Sequence, residues 1–193
     1  YMGTIDKSSP YFIFINYFDP HQPYIVETPY DTLFASPYCP SPSDSLQLLN
    51  RKYTKERHRY FGGEMGSSSD SFRPIASLYK RLGRDCYDAL INYTDENLNE
   101  LLVEFEERGL RENTLIVITA DHGEELGEHK RFGHVDTLRN TALWVPMIVR
   151  YPPKVASGAL VASTARHVDI LPTILNFVGV TPPDNVRGRS LLP

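Results

Sequence analysis

The chain has 193 residues, of which 41% are hydrophobic and 23% are charged, an ordinary balance for a globular domain with a buried core. A formal net charge of -4 and the absence of a lysine or arginine stripe argue against a nucleic-acid-binding protein. No apolar stretch is long enough to span a bilayer, and the two cysteines, Cys39 and Cys86, are too few for a disulfide framework and lack zinc-site spacing.

The first predicted element is a β-strand from Tyr11 to Phe18, YFIFINYF. It is aromatic and β-branched with almost no polar residue, which is typical of a strand covered on both faces. A proline-rich irregular segment follows, and then a short helix is predicted from Ser45 to Tyr60. The Gly/Ser-rich segment from Gly62 to Phe72 is predicted to be a loop, and it lacks the Gly-Lys-Ser/Thr ending of a phosphate-binding loop.

A long helix is predicted from about Tyr79 to Arg108. Apolar residues recur there at three- and four-residue spacing, with carboxylates on the other face. Gly109 lies where the glycine that terminates a helix belongs. The apolar positions are Tyr87, Leu90, Ile91, Leu98, Leu101, Leu102 and Phe105.

Two further strands and a third helix complete the pattern. The segment Thr114–Asp121, TLIVITAD, is predicted to be a fully buried strand. Val145–Tyr151 is predicted to be another strand, in which Pro146 is tolerated only near the start or at an edge. His167–Gly179 is predicted to contain a helix. Strands that alternate with helices predict an α/β domain with a mainly parallel sheet sandwiched by helices.

Ionisable residues follow two of these strands. Asp19 and His21 come directly after the first strand, and Asp121 and His122 come at the end of the strand TLIVITAD. In parallel sheets, ligands bind beyond the carboxyl ends of the strands. If these strands are parallel neighbours, His21, Asp121 and His122 converge on one edge of the sheet.

Asp121 and His122 are candidate metal ligands. Adjacent strand residues point to opposite faces, so Gly123 is expected to supply the backbone freedom that lets both side chains reach one ion. A carboxylate oxygen beside an imidazole nitrogen suits manganese or zinc. For the pair alone, the simpler interpretation is an aspartate that caps a helix and a histidine that is merely exposed.

The residues that follow add cationic groups. His129, Lys130 and His134 could fold back over the metal, where they would bind an anionic substrate or protonate a leaving oxygen. For Lys130 alone, a solvated loop lysine is the simpler interpretation. The exposed face of a short helix is expected to carry Glu124, Glu125 and Glu128.

Five segments in this order resemble the sulfatase family of the alkaline phosphatase superfamily. They are FINYFDPHQPY with its His-x-Pro-Tyr turn, CYDALINYTDENLNELLVEFEERGLREN, TLIVITADHGEELGEHKRFGH, HVDILPTILNFVGV and VRGRSLLP. The resemblance implies an alkaline-phosphatase-like fold and a metal-dependent sulfuric ester hydrolase. The substrate would be a sulfate-ester small molecule or sugar.

The resemblance also implies roles for individual residues. Asp121 and His122 would bind the metal, and His21 and a cationic group at His134 would contact the sulfate ester. Many relatives have lysine at the position of His134, so the acid that protonates the leaving group is left open among His134, Lys130 and His21. Calcium is the usual family metal, with manganese and zinc as alternatives.

Two parts of the family's active site have no counterpart in this sequence. The nucleophile of the family is a formylglycine made from Cys/Ser-x-Pro-x-Arg, and a paired Asp-Asp completes its metal site. Cys39-Pro40 does not fit the first motif, because proline follows the cysteine directly. Residues 1–193 are therefore interpreted as an incomplete catalytic domain that lacks its N-terminal, nucleophile-bearing part and is inactive alone. The alternatives are a phosphoester or phosphonate hydrolase of the same superfamily, or a non-catalytic binding module.

Overall fold

The computed structural model describes residues 5–6, 8–21, 24–26, 28–30, 33, 73–129, 132–134 and 137–192, with side chains in the long helix from residue 83 onward. The chain divides into two compact units. The first comprises Tyr1–Arg108 and His122–Trp144, and the second comprises Gly109–Asp121 and Val145–Pro193. Outside the described residues lie Lys130, Cys39 and the elements predicted for Ser45–Tyr60 and Gly62–Phe72.

The described elements are three α-helices and four short strands. The helices are α1 (Arg73–Glu107), α2 (Asn140–Leu143) and α3 (Ile170–Phe177). The strands are β1 (Ile116–Thr119), β2 (Glu125–Leu126), β3 (Phe132–Gly133) and β4 (Met147–Arg150). Single 3₁₀ turns are formed by Arg111–Asn113 and His167–Asp169.

Helix α1 confirms the helical periodicity of the sequence. Its inward face contributes Cys86, Ala89 and Leu90, which pack with Tyr24 and Val26 into the core of the first unit. The spacing of three and four residues places the α1 side chains on one side of the helix. Cys86 is also disulfide-bonded. After the helix, Gly109 adopts the left-handed φ of 64° that favours glycine at this position, as predicted.

The segment Tyr11–Phe18 differs from its prediction as a buried strand. It forms neither a strand nor a helix, and Phe12 and Phe14 are 76% and 80% exposed. An apolar sequence forms a buried strand only where neighbouring strands accept its hydrogen bonds and other elements cover its side chains. Residues 12–18 make no hydrogen bond within the described part of the chain.

Strands β1 and β4 form a two-stranded sheet in the second unit, and they run antiparallel, with Ile116 opposite Arg150 and Thr119 opposite Met147. The other described pair, β2 and β3, is also antiparallel. The parallel neighbours expected from the sequence are therefore not formed by these strands. The described elements between β1 and β4 are two short strands and the four-residue helix α2, and none of them is a long crossover helix of the kind that joins parallel strands. Strand β1 is half-buried rather than fully buried.

Helix α3 is fixed by polar contacts at its start. The fully buried carboxylate of Asp169 accepts hydrogen bonds from the backbone N–H groups of Arg166 and Arg189, both at 3.0 Å. The Thr173 hydroxyl accepts one from the N–H of Leu191 at 2.9 Å. The predicted helix within His167–Gly179 is thus confirmed, and its first turn binds the chain segment 189–191.

Candidate active site

Three histidines of the first unit lie together. The rings of His122 and His134 stack with centroids 3.7 Å apart and an angle of 27° between their planes. The ring of His21 lies 5.5 Å from that of His134 and is tilted by 60°. The sequence predicted this convergence of His21 with the histidines that follow β1, although His21 is far from them along the chain.

Short backbone elements place each histidine. His134 follows β3 directly, and the pairing of Gly133 with Glu125 brings it beside the chain that leaves His122. His21 follows the segment Tyr11–Phe18, and the centroid of its ring lies 4.5 Å from that of Phe18. The Thr94 hydroxyl on α1 donates to the carbonyl of Asp19 at 3.4 Å, which ties the turn before His21 to the long helix.

Gly123 is needed for close packing and not for an unusual backbone conformation. Its N–H donates to the carbonyl of Ala142 at 2.8 Å, so the chain after His122 lies against helix α2. A Cβ atom at this position would lie 2.1 Å from the carbonyl oxygen of Thr141. Its φ lies outside the left-handed region, so the expected reason for glycine here was wrong. Glycine is required at this position because the backbone approaches that of helix α2 too closely for a side chain.

One ring nitrogen of His122 forms a hydrogen bond with the backbone. Its Nδ1 lies 2.9 Å from the carbonyl oxygen of Gly123, and because a carbonyl can only accept, Nδ1 carries the hydrogen. Nε2 of the neutral ring is then left with its lone pair. This is the usual state of a metal-binding histidine, whose other ring nitrogen donates to a carbonyl or carboxylate.

Glu124 lies beside the histidines and not on the exposed face of a helix. Its side chain is only 4% exposed, and its Oε2 atom lies 3.4 Å from Nδ1 of His134. Burial raises the pKa of the Glu124 carboxyl, and the neighbouring imidazole of His134 offsets part of this increase. The other oxygen, Oε1, is buried without a hydrogen-bond partner among the described residues.

Glu125 is also buried, again in contrast to the prediction from its charge. As part of β2 it points inward, where its Oε1 atom accepts hydrogen bonds from His129 at 3.0 Å and from Arg139 and Thr141 at 3.3 Å. The carboxylate thereby joins the β2–β3 hairpin to helix α2. Only Glu128 is exposed as expected, where it pairs with Arg84 on α1 at 3.1 Å.

The sequence reasoning missed the burial of Glu124 and Glu125. The one available signal is the two-residue alternation of a strand, which directs Glu125 to the face opposite its neighbours. A strand of two residues is too short for that alternation to be recognised in advance. The partners of both carboxylates are also distant in the sequence.

The remaining predicted site residues are only partly described. Asp121 is exposed at the end of the second unit's chain segment that contains β1. Lys130 lies outside the described residues. Within the described ranges, no group of three or more His, Cys, Asp or Glu residues is arranged to hold a metal ion. No described helix is both long and apolar enough to cross a membrane.

Comparisons with known proteins agree on one family. The family model of the sulfatases matches residues 2–180. The N-acetylglucosamine-6-O-sulfatase of Bacteroides thetaiotaomicron is 34% identical over 82% of this chain and 27% of its own length.

Two solved structures have the same fold. One, determined in complex with its substrate D-glucosamine-2-N,6-O-disulfate, is 30% identical with a TM-score of 0.61 over 79% of this chain and 30% of its own. The phosphonate monoester hydrolase of Silicibacter pomeroyi is 28% identical with a TM-score of 0.64 over 89% of this chain and 34% of its own. The α/β, alkaline-phosphatase-like fold predicted from the sequence is thus confirmed, and the chain spans about a third of the length of these proteins.

Proposed function

Because the chain belongs to the sulfatase family, we propose that it forms the C-terminal part of the catalytic domain of a sulfuric ester hydrolase. The observation that carries this proposal is the convergence of His21, His122 and His134. Three imidazoles in contact form a site that can combine metal binding with recognition of an anion. The nucleophile-bearing part of the domain is proposed to lie outside residues 1–193.

Membership of the sulfatase family implies a divalent metal and a formylglycine nucleophile. We assign the carboxylate of Asp121 and Nε2 of His122 as two of the metal ligands. The hydrogen bond from Nδ1 of His122 to the carbonyl of Gly123 supports this assignment, since metal-binding histidines usually hold their other ring nitrogen in this way. When bound, the metal supplies Lewis-acid stabilisation of developing negative charge. Calcium is proposed, and manganese and zinc, which suit a nitrogen ligand, are the alternatives that a metal analysis would distinguish.

His21 and His134 are assigned to the substrate. A protonated imidazole binds the ester oxygens of an anion and can deliver a proton to the departing oxygen near neutral pH. His134 is the first candidate for the acid because its ring lies near both the ring of His21 and that of the proposed metal ligand His122. Lys130 and His21 are the other candidates for this role.

A sulfated sugar is the proposed substrate class. Support comes from the names of two related proteins, an N-acetylglucosamine-6-O-sulfatase and the structure with bound glucosamine disulfate. A phosphonate monoester hydrolase is the second candidate, because a protein of that activity is 28% identical to this chain. A binding module that has lost its chemistry is the third.

Activity assays on the full-length protein that contains this chain distinguish these candidates. Hydrolysis of N-acetylglucosamine 6-sulfate that exceeds hydrolysis of a phosphonate monoester is expected, and the reverse order would favour the second candidate. If the metal-loaded protein hydrolyses neither class of substrate, the result favours the non-catalytic binding module. The isolated 193-residue chain should hydrolyse no sulfate ester, and turnover by it would refute the proposed position of the nucleophile.

The metal assignment is tested by Asp121→Ala in the same protein. Loss of a charged ligand should lower metal content and activity together. Asp184→Ala is the matched control, because Asp184 is another exposed aspartate of the second unit. Full metal occupancy in the Asp121 variant would remove Asp121 from the ligand set.

A further inference from the structure

Glu124 and His134 occupy adjoining positions next to a pair of strands. We propose that Glu124 is a positioning residue that holds Nδ1 of His134, so that Nε2 is the nitrogen presented to the substrate. The proposal rests on the substrate role given to His134 above and adds the residue that orients its ring. It starts from the 3.4 Å separation of Oε2 and Nδ1.

The backbone fixes the two residues opposite each other. Glu125 and Gly133 are paired across the antiparallel β2–β3 sheet. Glu124 precedes the first of these residues and His134 follows the second, so the two side chains continue the same register by one position. Glu125 is itself anchored to Arg139 and Thr141, which prevents this part of the hairpin from sliding.

Ring stacking fixes the plane of the His134 imidazole but not its direction. Stacking on His122 is compatible with either of two orientations that differ by a half-turn of the ring. The carboxylate of Glu124 distinguishes them, because only one orientation places Nδ1 against an oxygen. An ionised carboxylate can only accept hydrogen bonds, so Nδ1 must carry the hydrogen.

This arrangement has a chemical consequence at Nε2. In the neutral ring Nε2 holds a lone pair that can accept a proton, and in the protonated ring the same atom is the free donor. Without Glu124, a neutral histidine prefers the other tautomer, in which Nε2 carries the hydrogen. Glu124 therefore determines which nitrogen exchanges protons with a substrate.

A second Glu–His pair in the hairpin differs in ways that make it a control. His129 contacts Glu125 at 3.0 Å, but Glu125 also accepts from Arg139 and Thr141. The His129 side chain is 43% exposed, whereas that of His134 is 24% exposed and lies near two other imidazoles. The pair of Glu125 and His129 is therefore an anchor of the hairpin.

The test is nitrogen-15 NMR of the imidazoles in the 193-residue chain, at a pH at which the rings are neutral. We expect His134 to be the Nδ1–H tautomer in the unchanged chain and to shift to Nε2–H in Glu124→Ala. Glu124→Gln should preserve the Nδ1–H tautomer, since its amide oxygen still accepts. His129→Ala should leave the His134 signals unchanged and assists their assignment.

Two results would overturn the proposal. These are an Nε2–H tautomer of His134 in the unchanged chain, or an Nδ1–H tautomer that persists in Glu124→Ala. Neither result depends on catalysis, so failure of the positioning role is separable from failure of the proposed function. If the Glu124→Ala variant does not fold, the unchanged chain still provides a test. An Nδ1–H tautomer of His134 there supports the proposal, and an Nε2–H tautomer overturns it.

Discussion

The ring of His122 stacks on the ring of His134, with 3.7 Å between their centroids. His122, the proposed metal ligand, is thus in direct contact with His134, which is proposed to act on the substrate. Nδ1 of His122 faces the carbonyl of Gly123, and Nδ1 of His134 faces the carboxylate of Glu124. In each ring, Nε2 is therefore the nitrogen that is proposed to act on an external ligand. The predictions below test the residues that maintain this relationship.

The first prediction concerns His134→Ala in the full-length protein. Metal content should remain nearly intact, while turnover falls because the group that acts on the substrate is missing. If His134 protonates the leaving oxygen, the loss should be about a hundredfold or more for sugar and alkyl sulfates. It should be small for nitrophenyl sulfate, whose leaving group departs without a proton. His134→Lys is the control, as it restores a cation.

The comparison of leaving groups also separates the alternatives. Equal losses on both substrate classes would assign His134 to anion binding and move the acid role to His21 or Lys130. Unchanged activity on both would make His134 an ordinary loop residue.

The second prediction concerns Gly123→Ala. The added methyl group would overlap the carbonyl oxygen of Thr141, so the chain after His122 and helix α2 must separate. We expect a loss of about 1–3 kcal/mol in unfolding free energy, the usual cost of forcing extra volume into a packed contact. Chemical denaturation measures this loss. In Gly123→Ala the ring-current shifts that His122 and His134 impose on each other should also change.

Gly158→Ala provides the comparison for that experiment. Gly158 has a left-handed φ of 74°, but a Cβ atom there meets nothing within 4 Å. Its cost comes from backbone strain alone, and the histidine signals should not move. Similar shifts in both variants would show that the effect of Gly123 is not local.

The third prediction concerns acid stability in the second unit. The Arg166 guanidinium, together with the N–H of Arg189, lowers the pKa of Asp169 to about 2. An unfolded aspartate has a pKa of about 3.9, so Asp169 stabilises the folded chain above about pH 4. This contribution is lost as the pH falls from about 4 through 2. In Asp169→Asn, Tm should be several degrees lower at neutral pH and should change less between pH 4 and 2. An unchanged Tm profile would contradict the role given to this carboxylate, and Asp184→Asn is the control.

The fourth prediction concerns residues 12–18. Their aromatic side chains are exposed, and their backbone makes no hydrogen bond within the described part of the chain, so another strand could add there. The isolated chain should therefore self-associate with increasing concentration, as sedimentation velocity would detect. Phe14→Lys should weaken the association. Leu160→Lys, at a position that is 99% exposed in the second unit, should not.

The predictable parts of this protein are those determined by local sequence. Helix α1 follows from its apolar periodicity, and Gly109 ends it with the expected left-handed conformation. The convergence of His21 with His122 and His134 was also predicted, but the strand that was expected to place His21 is not formed.

The parts that were not predictable depend on distant partners. A run of charged residues usually indicates an exposed surface, but Glu125 is buried because Arg139 and Thr141 fold over it. The apolar segment Tyr11–Phe18 is exposed for the converse reason, since burial requires a covering element and not only a hydrophobic sequence. Strand direction likewise depends on how the chain returns between β1 and β4.

The contacts of Asp169 and Thr173 have a consequence for proteolysis. Residues 186–192 have no helix or strand, yet the N–H groups of Arg189 and Leu191 are held by buried side chains at the start of α3. A protease must pull its target into an extended conformation in its cleft, which would break both hydrogen bonds. The equally irregular segment 156–166 is exposed throughout. Elastase, which cleaves after small apolar residues, should therefore cut within residues 156–165 well before trypsin cuts after Arg189, although neither segment contains a helix or strand.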